Sequence, residues 1–210
     1  MTPRERAIAW AREVAADPDA VFVDTETTGL GPEAELCDIA IVGIDGRVLL
    51  DSLVLPLAPI PAEATAVHGI TVAICERAKA PMWKELWPRV AVLLYAGRRV
   101  VVYNAEYDFG IIQQVTRAAK LPAFAPGWQC AMQAYGDFDG TPAFRRPGMK
   151  WHRLGNACDA MGIALDGAHR ALADAEACRR LVLAMAAADE PRQLTLIEVA
   201  GGGPVREWTG

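Results

Sequence analysis

The stretch from Val21 to Leu55 constrains this chain more than any other part of it. Val21-Phe22-Val23 is a short apolar run of the buried-strand type, Leu36 to Ile44 is a second, and Arg47 to Leu55 is a third. Asp45-Gly46, between the second and third, is a two-residue hairpin signal, because such turns need residues that tolerate positive φ. A three-stranded antiparallel meander is therefore expected. Further on, Val100-Val101-Val102 reads as a buried strand, Glu106 to Ala119 as a helix and Trp128 to Cys130 as a short strand, with two or three helices reaching Ala188. A meander first, then strands alternating with helices, implies a mixed α/β sheet covered on both faces.

Around that centre, Ile8, Ala11, Arg12 and Ala15 follow helical spacing, which predicts a helix over Pro3 to Ala16, stopped by Asp17-Pro18-Asp19. Pro-rich residues 56 to 61 leave the sheet. A loop carrying His68-Gly69-Ile70 is expected to lead to a helix over roughly Met82 to Tyr95, with Pro81 at its start. The expected organisation is an N-terminal helix over residues 1–17, a core domain over 18–188 and a tail over 189–210, where Gly201-Gly202-Gly203-Pro204 lies outside the core.

Composition narrows the function classes. With 210 residues the chain suits one domain. Lys plus Arg number 21 against 26 Asp plus Glu, a net charge of −5 that excludes a protein holding polyanions by bulk charge. Apolar runs such as Val90 to Ala96 are far shorter than the roughly 20 residues of a spanning helix. With no secretory signal either, a cytoplasmic location and no membrane partner are expected. The five cysteines are far apart and form no Cys-x-x-Cys pair, so free thiols are expected. Ser52, the only serine, sits inside an apolar strand, which leaves a serine hydrolase without a nucleophile, and no phosphate-binding Gly-rich loop with its lysine occurs.

The chemistry concentrates in three places. Asp24 and Glu26 follow the first strand directly and, two residues apart, project to one side at its carboxyl end. Two anions held that close are best tolerated around a divalent cation such as Mg²⁺ or Mn²⁺, although an isolated Asp-x-Glu also fits a solvated loop. Asp108 falls in the first turn of the helix after Val100–Val102, where an acid also suits the helix dipole. If both His169 and Asp174 were helical they would stand about 140° apart, so His169 is expected in the loop before the last long helix, beside a site that Asp174 reaches from within it.

Taken together, Phe22-Val23-Asp24-Thr25-Glu26-Thr27-Thr28-Gly29-Leu30, Tyr103-Asn104-Ala105-Glu106-Tyr107-Asp108 and His169-Arg170-Ala171-Leu172-Ala173-Asp174 resemble, in order, the three motifs of the DEDDh family of 3′-to-5′ exonucleases. The family includes bacterial polymerase proofreading subunits, RNase T and oligoribonuclease. The resemblance covers roughly residues 18 to 188 and implies an RNase H-like three-layer fold with a five-stranded mixed sheet. It also implies that Asp24, Glu26, Asp108 and Asp174 hold two divalent cations, with His169 as general base. Thr27, Gly29 and Leu30 are then expected to meet the 3′-terminal nucleotide, and Val67-His68-Gly69-Ile70-Thr71 resembles the family's loop near it. Tyr107 departs from the usual phenylalanine.

The activity implied is hydrolysis at DNA 3′ ends, single-stranded or frayed, in proofreading or repair. An exoribonuclease on short or structured RNA is the alternative enzyme, and a clamp-tethered nucleic-acid-binding accessory subunit is the alternative of another class. Two weaker signals remain. Arg145-Arg146-Pro147-Gly148-Met149-Lys150-Trp151-His152-Arg153, with Phe144, interleaves basic and aromatic residues, as a single-strand track or a solvated loop does. Gln193-Leu194-Thr195-Leu196-Ile197 resembles the bacterial sliding-clamp-binding pentapeptide, with Ile197 in place of the aromatic; a tail strand pairing with the protein's own sheet edge fits as well.

Overall fold

The computed structural model describes residues 1–95, 97–125, 127–144 and 147–189. Arg145, Arg146 and the segment Gln193 to Ile197 lie outside the described residues. Helix α1 (Pro3–Ala16) begins on Thr2, whose hydroxyl accepts the Glu5 N–H while the Glu5 carboxylate accepts the Thr2 N–H. This reciprocal cap, followed by Pro3 in the first turn, fixes the start of the helix.

Strands β1 (Val21–Thr27), β2 (Leu36–Gly43) and β3 (Val48–Leu53) form the expected meander. The β2–β3 turn differs from expectation. Its loop has three residues, Ile44 to Gly46, closed by the Gly46 N–H on the Gly43 carbonyl and the Gly43 N–H on the Arg47 carbonyl, with Gly46 at φ 82°. That is the wider loop ending in a left-handed residue, and it brings a register shift beside Val42.

The largest departure lies between residues 61 and 81, where a loop was expected. Two short helices stand there, α2 (Ala62–His68) and α3 (Val72–Arg77). Pro61 leads into α2 from extended backbone, Gly69 stops it at φ 72°, and the Thr71 hydroxyl caps α3 by accepting the Ile74 N–H. Each is less than two turns long, too short for an apolar period to be read. Next come α4 (Trp83–Tyr95), β4 (Val100–Val102), α5 (Ala105–Ala118), β5 (Gln129–Cys130), α6 (Ala131–Asp139), α7 (Leu154–Ala160) and α8 (Ala171–Ala187).

Among the described residues the five strands form one sheet in the order β3-β2-β1-β4-β5, with β1 antiparallel to β2 and parallel to β4. Alternation along β1 divides its side chains between two cores. Phe22 packs with Ile8, Ala11 and Val14 of α1 and with Cys178 and Leu181 of α8. Val21 and Val23 pack with Trp83, Leu86 and Val90 of α4 and Ile111 and Ile112 of α5. The result is the three-layer RNase H-like architecture. On the α8 side, Ala40 and Val42 of β2 meet Ala171 and Ala175, and these small residues let α8 lie close against β2 and β1.

The decisive asymmetry is in β1. It pairs with β2 along its whole length but with β4 only at Val21 and Phe22. The half that carries Asp24 and Glu26 therefore runs on past β4 into a crevice at the carboxyl ends of two parallel strands, where α5 begins.

Candidate active site

Three chain segments meet in this crevice. Asp24 and Glu26 have the same strand parity as Phe22 and so face α8, which brings Asp174 from its first turn. Asp24, Glu26 and Asp174 each place a carboxylate oxygen within 4.8 Å of the others. Asp108 arrives from the opposite layer, in the first turn of α5. It stands outside that tight trio, and its Oδ1 accepts the Thr25 hydroxyl at 2.9 Å. Thr25, between the two β1 acids, points to the α5 side and thereby restrains the fourth carboxyl.

Crowding and burial act together on the protonation of these groups. Burial pushes Glu26 up to about 7, reinforced by Asp174, Asp38 and Asp108. Asp108 is also pushed up to about 7 by burial, against the pull of its Thr25 hydrogen bond. Asp24 is raised well above the ordinary carboxylate range by burial and then by Asp108 and Asp174, and burial raises Asp174 in the same direction.

The Asp174 carboxylate is half engaged. Its Oδ2 accepts the His169 backbone N–H at 3.1 Å, whereas its Oδ1 is buried without a hydrogen-bond partner. His169 lies in the loop before α8, exposed, with φ 63°, a backbone conformation uncommon for a residue with a side chain. The next residue, Arg170, gives its Nε–H to Asp38 Oδ2 at 2.9 Å. Asp38 is 0% exposed and stands directly across from Glu26 in the β1–β2 register. Burial raises its pKa while Arg170 opposes the rise.

The turn after β1 is braced from α5. Thr27 Oγ1 and Tyr107 Oη lie 2.6 Å apart and both reach the Gly29 carbonyl, at 2.8 Å and 3.0 Å. Leu30 beyond them is 87% exposed, and with Gly29 it lines a cavity of about 420 Å³ against Asn104, Glu106, Tyr107 and Trp151. His68, expected near the terminal nucleotide, is buried. Its Nδ1 accepts the Ile70 N–H, so Nε2 carries the proton given to the Thr27 carbonyl at 3.2 Å. His68 thus supports the turn after β1 through the Thr27 carbonyl.

Sequence reasoning singled out the four acids and His169 but missed Thr25, Asp38 and Arg170. A signal for Asp38 existed: a lone acid inside the apolar run Leu36 to Ile44 must be paired if it is buried.

The family model described as exonuclease, RNase T type, matches residues 21–182. The chain belongs to this exonuclease family. The exonuclease is 38% identical over 192 residues to the uncharacterized exonuclease CP81 of Escherichia phage 186, covering 88% of this chain and 94% of that one. It is 28% identical over 169 residues to the DNA polymerase III subunit epsilon of Aquifex aeolicus, 78% of each chain. Among solved structures it resembles exonuclease X in complex with 5′ overhanging duplex DNA, with 26% identity and a TM-score of 0.57 over 79% of this chain and 90% of that one. The nuclease domain of 3′hExo, a DEDDh member, shares the fold at 18% identity and a TM-score of 0.64, over 79% and 90% of the two chains. This enzyme is a DEDDh-type, metal-dependent nuclease.

Proposed function

We propose that this exonuclease removes nucleotides stepwise from the 3′ ends of single-stranded or frayed DNA. Asp24, Glu26, Asp108 and Asp174 would hold two divalent cations, Mg²⁺ or Mn²⁺, and His169 would act as general base. The observation that carries the reading is the trio Asp24, Glu26 and Asp174, each with a carboxylate oxygen within 4.8 Å of the others, together with a buried Asp174 oxygen that has no hydrogen-bond partner. An all-carboxylate donor set of this kind fits hard divalent cations. Bound there, such cations supply an activated water and charge stabilisation for the leaving 3′ oxygen of an in-line displacement.

The chain's own residues do the rest. The His169 backbone is tied to Asp174 and its side chain faces solvent, where the imidazole can take a proton from the attacking water. Thr25 restrains Asp108, and the Arg170–Asp38 pair fixes the loop that carries His169. Gly29 and Leu30 offer a backbone and an exposed apolar side chain to the terminal nucleotide, on a turn that Thr27 and Tyr107 hold in place. DNA is favoured because exonuclease X was solved with DNA and the epsilon subunit belongs to a DNA polymerase.

A clamp-tethered role rests on the sequence Gln193–Ile197, and a Pro191–Ala200 peptide binding its cognate clamp no better than its Gln193→Ala, Leu196→Ala form would end it. Among the described residues no helix is long and apolar enough to cross a membrane, and a cytoplasmic location belongs to the same proposal.

The assay uses 5′-labelled single strands of matched DNA and RNA sequence with Mg²⁺. A ladder shortening from the 3′ end is expected, faster on DNA, lost in EDTA and in Asp24→Asn. His169→Ala is expected to lower turnover by roughly two to four decades. Faster RNA degradation would move the assignment to an exoribonuclease, and an Asp24→Asn variant as active as the wild type would overturn the site.

A further inference from the structure

A second cavity, of about 500 Å³, lies beside the one next to Leu30. It is lined by Arg6, Trp10, Gln133 and Met149 among others, and among the described residues Trp151 is the one common to both linings. Trp151 is 47% exposed, and its chain neighbours are held from several sides. Pro142 and Met149 form an antiparallel bridge, and the Lys150 N–H donates to the Thr141 carbonyl at 2.8 Å. The chain passes so close to α6 that a Cβ on Gly136 would stand 2.9 Å from the Lys150 carbonyl oxygen. On the other side, the Tyr103 hydroxyl donates to the His152 carbonyl at 2.9 Å, and the His152 ring meets Asp139 at 3.1 Å and the edge of Tyr135.

Tyr103 matters most in this scaffold. It directly follows β4 and precedes Asn104, which opens the helix bearing Asp108. The backbone around Trp151 is thus fastened to the same strand end that launches a catalytic carboxylate. A half-exposed indole on a fastened backbone, at the junction of two cavities, is placed for base stacking. Lys150 and Arg153 are exposed beside it and Phe144 is 98% exposed on the same segment, which suits a single strand; in the second cavity Arg6 is paired with Asp137 at 3.9 Å, so the free positive charge here, among the described residues, lies on the Trp151 segment.

We propose that Trp151 is a stacking platform for an unpaired base upstream of the 3′-terminal nucleotide, with the strand leaving the Leu30 cavity across this residue into the second. The proposal rests on the 3′-end exonuclease reading and extends it. The terminal nucleotide occupies the Leu30 cavity, and the platform selects for single-stranded character behind the bond to be cut. In a chain of net charge −5, stacking provides a hold on the strand that bulk charge does not.

The test compares wild type, Trp151→Ala and Trp151→Phe on oligodeoxythymidylates of two, three, five and ten nucleotides. For Trp151→Ala the KM penalty is expected to grow with length, reaching about tenfold on the longer strands with kcat retained, and Trp151→Phe is expected to recover most of it. An equal penalty at every length would mean a packing defect or a contact to the terminal nucleotide and would overturn the platform, as would no penalty at all. Binding of a labelled ten-nucleotide strand in Ca²⁺, read by anisotropy, provides a measure independent of turnover. If the wild type cleaves nothing, the exonuclease reading fails, and the anisotropy comparison still decides the platform: Trp151→Ala binding about tenfold more weakly supports it, and equal affinity overturns it.

Discussion

Replacing Arg170 with methionine keeps the length of the side chain and removes the charge that meets Asp38. Asp38 is fully buried, whereas its partner reaches solvent. Without the guanidinium the carboxylate must stay charged and unpaired or take up a proton. At pH 7, protonating a carboxyl of ordinary pKa 3.8 costs about 4 kcal/mol, which caps the loss. Burial already raises Asp38 in the wild type, and Arg170 is half in water, so the expected loss of folding stability is about 2–3 kcal/mol. In the variant the folded pKa of Asp38 rises further. A group raised in this way keeps its stability below the unfolded pKa and loses it as pH climbs through the folded one. The deficit against wild type is therefore largest near pH 7 and above and closes towards pH 4. Urea unfolding in EDTA at pH 4.5, 6 and 7.5 measures it, with the double variant Asp38→Asn, Arg170→Met expected to recover at least half at neutral pH. A deficit independent of pH, or a double variant no better than the single, would refute the reasoning.

Without metal, Glu26 and Asp108, both pushed up to about 7, should make the protein lose stability as pH rises from about 4 to 7, and added Mg²⁺ should stabilise it more as pH rises across the same interval. Thermal midpoints in EDTA that stay level or rise over that range would contradict this. Tyr107→Phe removes one of two hydroxyls on the Gly29 carbonyl while Thr27 still reaches it, so the expected cost is about 1 kcal/mol in urea unfolding. A loss above about 3 kcal/mol would show that the brace does more than hold this turn.

The parts of the site legible in the sequence were those governed by short periods. The two-residue period of β1 put Asp24 and Glu26 on one side, and the five-residue spacing from His169 to Asp174 ruled out a shared helix face, in agreement with the loop position of His169. What escaped depends on register between segments far apart in the chain. Asp38 faces Glu26 only because β2 pairs with β1 in one particular alignment, and Thr25 meets Asp108 only because α5 starts where β4 stops short. Helices α2 and α3 escaped for a different reason, since a single turn or two held by Thr71 and Gly69 leaves almost no pattern.

The long separation between the acids also bears on the order in which the enzyme becomes active. Asp24 and Glu26 leave the ribosome early, Asp108 follows, and Asp174 comes late, on a helix that packs against both β1 and α1. Contacts this distant in sequence are slow to form, and α1 has no finished partner surface until α8 docks. A nascent chain that stops short of α8 carries two β1 acids and a tethered Asp108 but no complete trio. If the proposed site is the catalytic one, nuclease activity is expected only once this last long helix is in place, and a product truncated before it is expected to be inert.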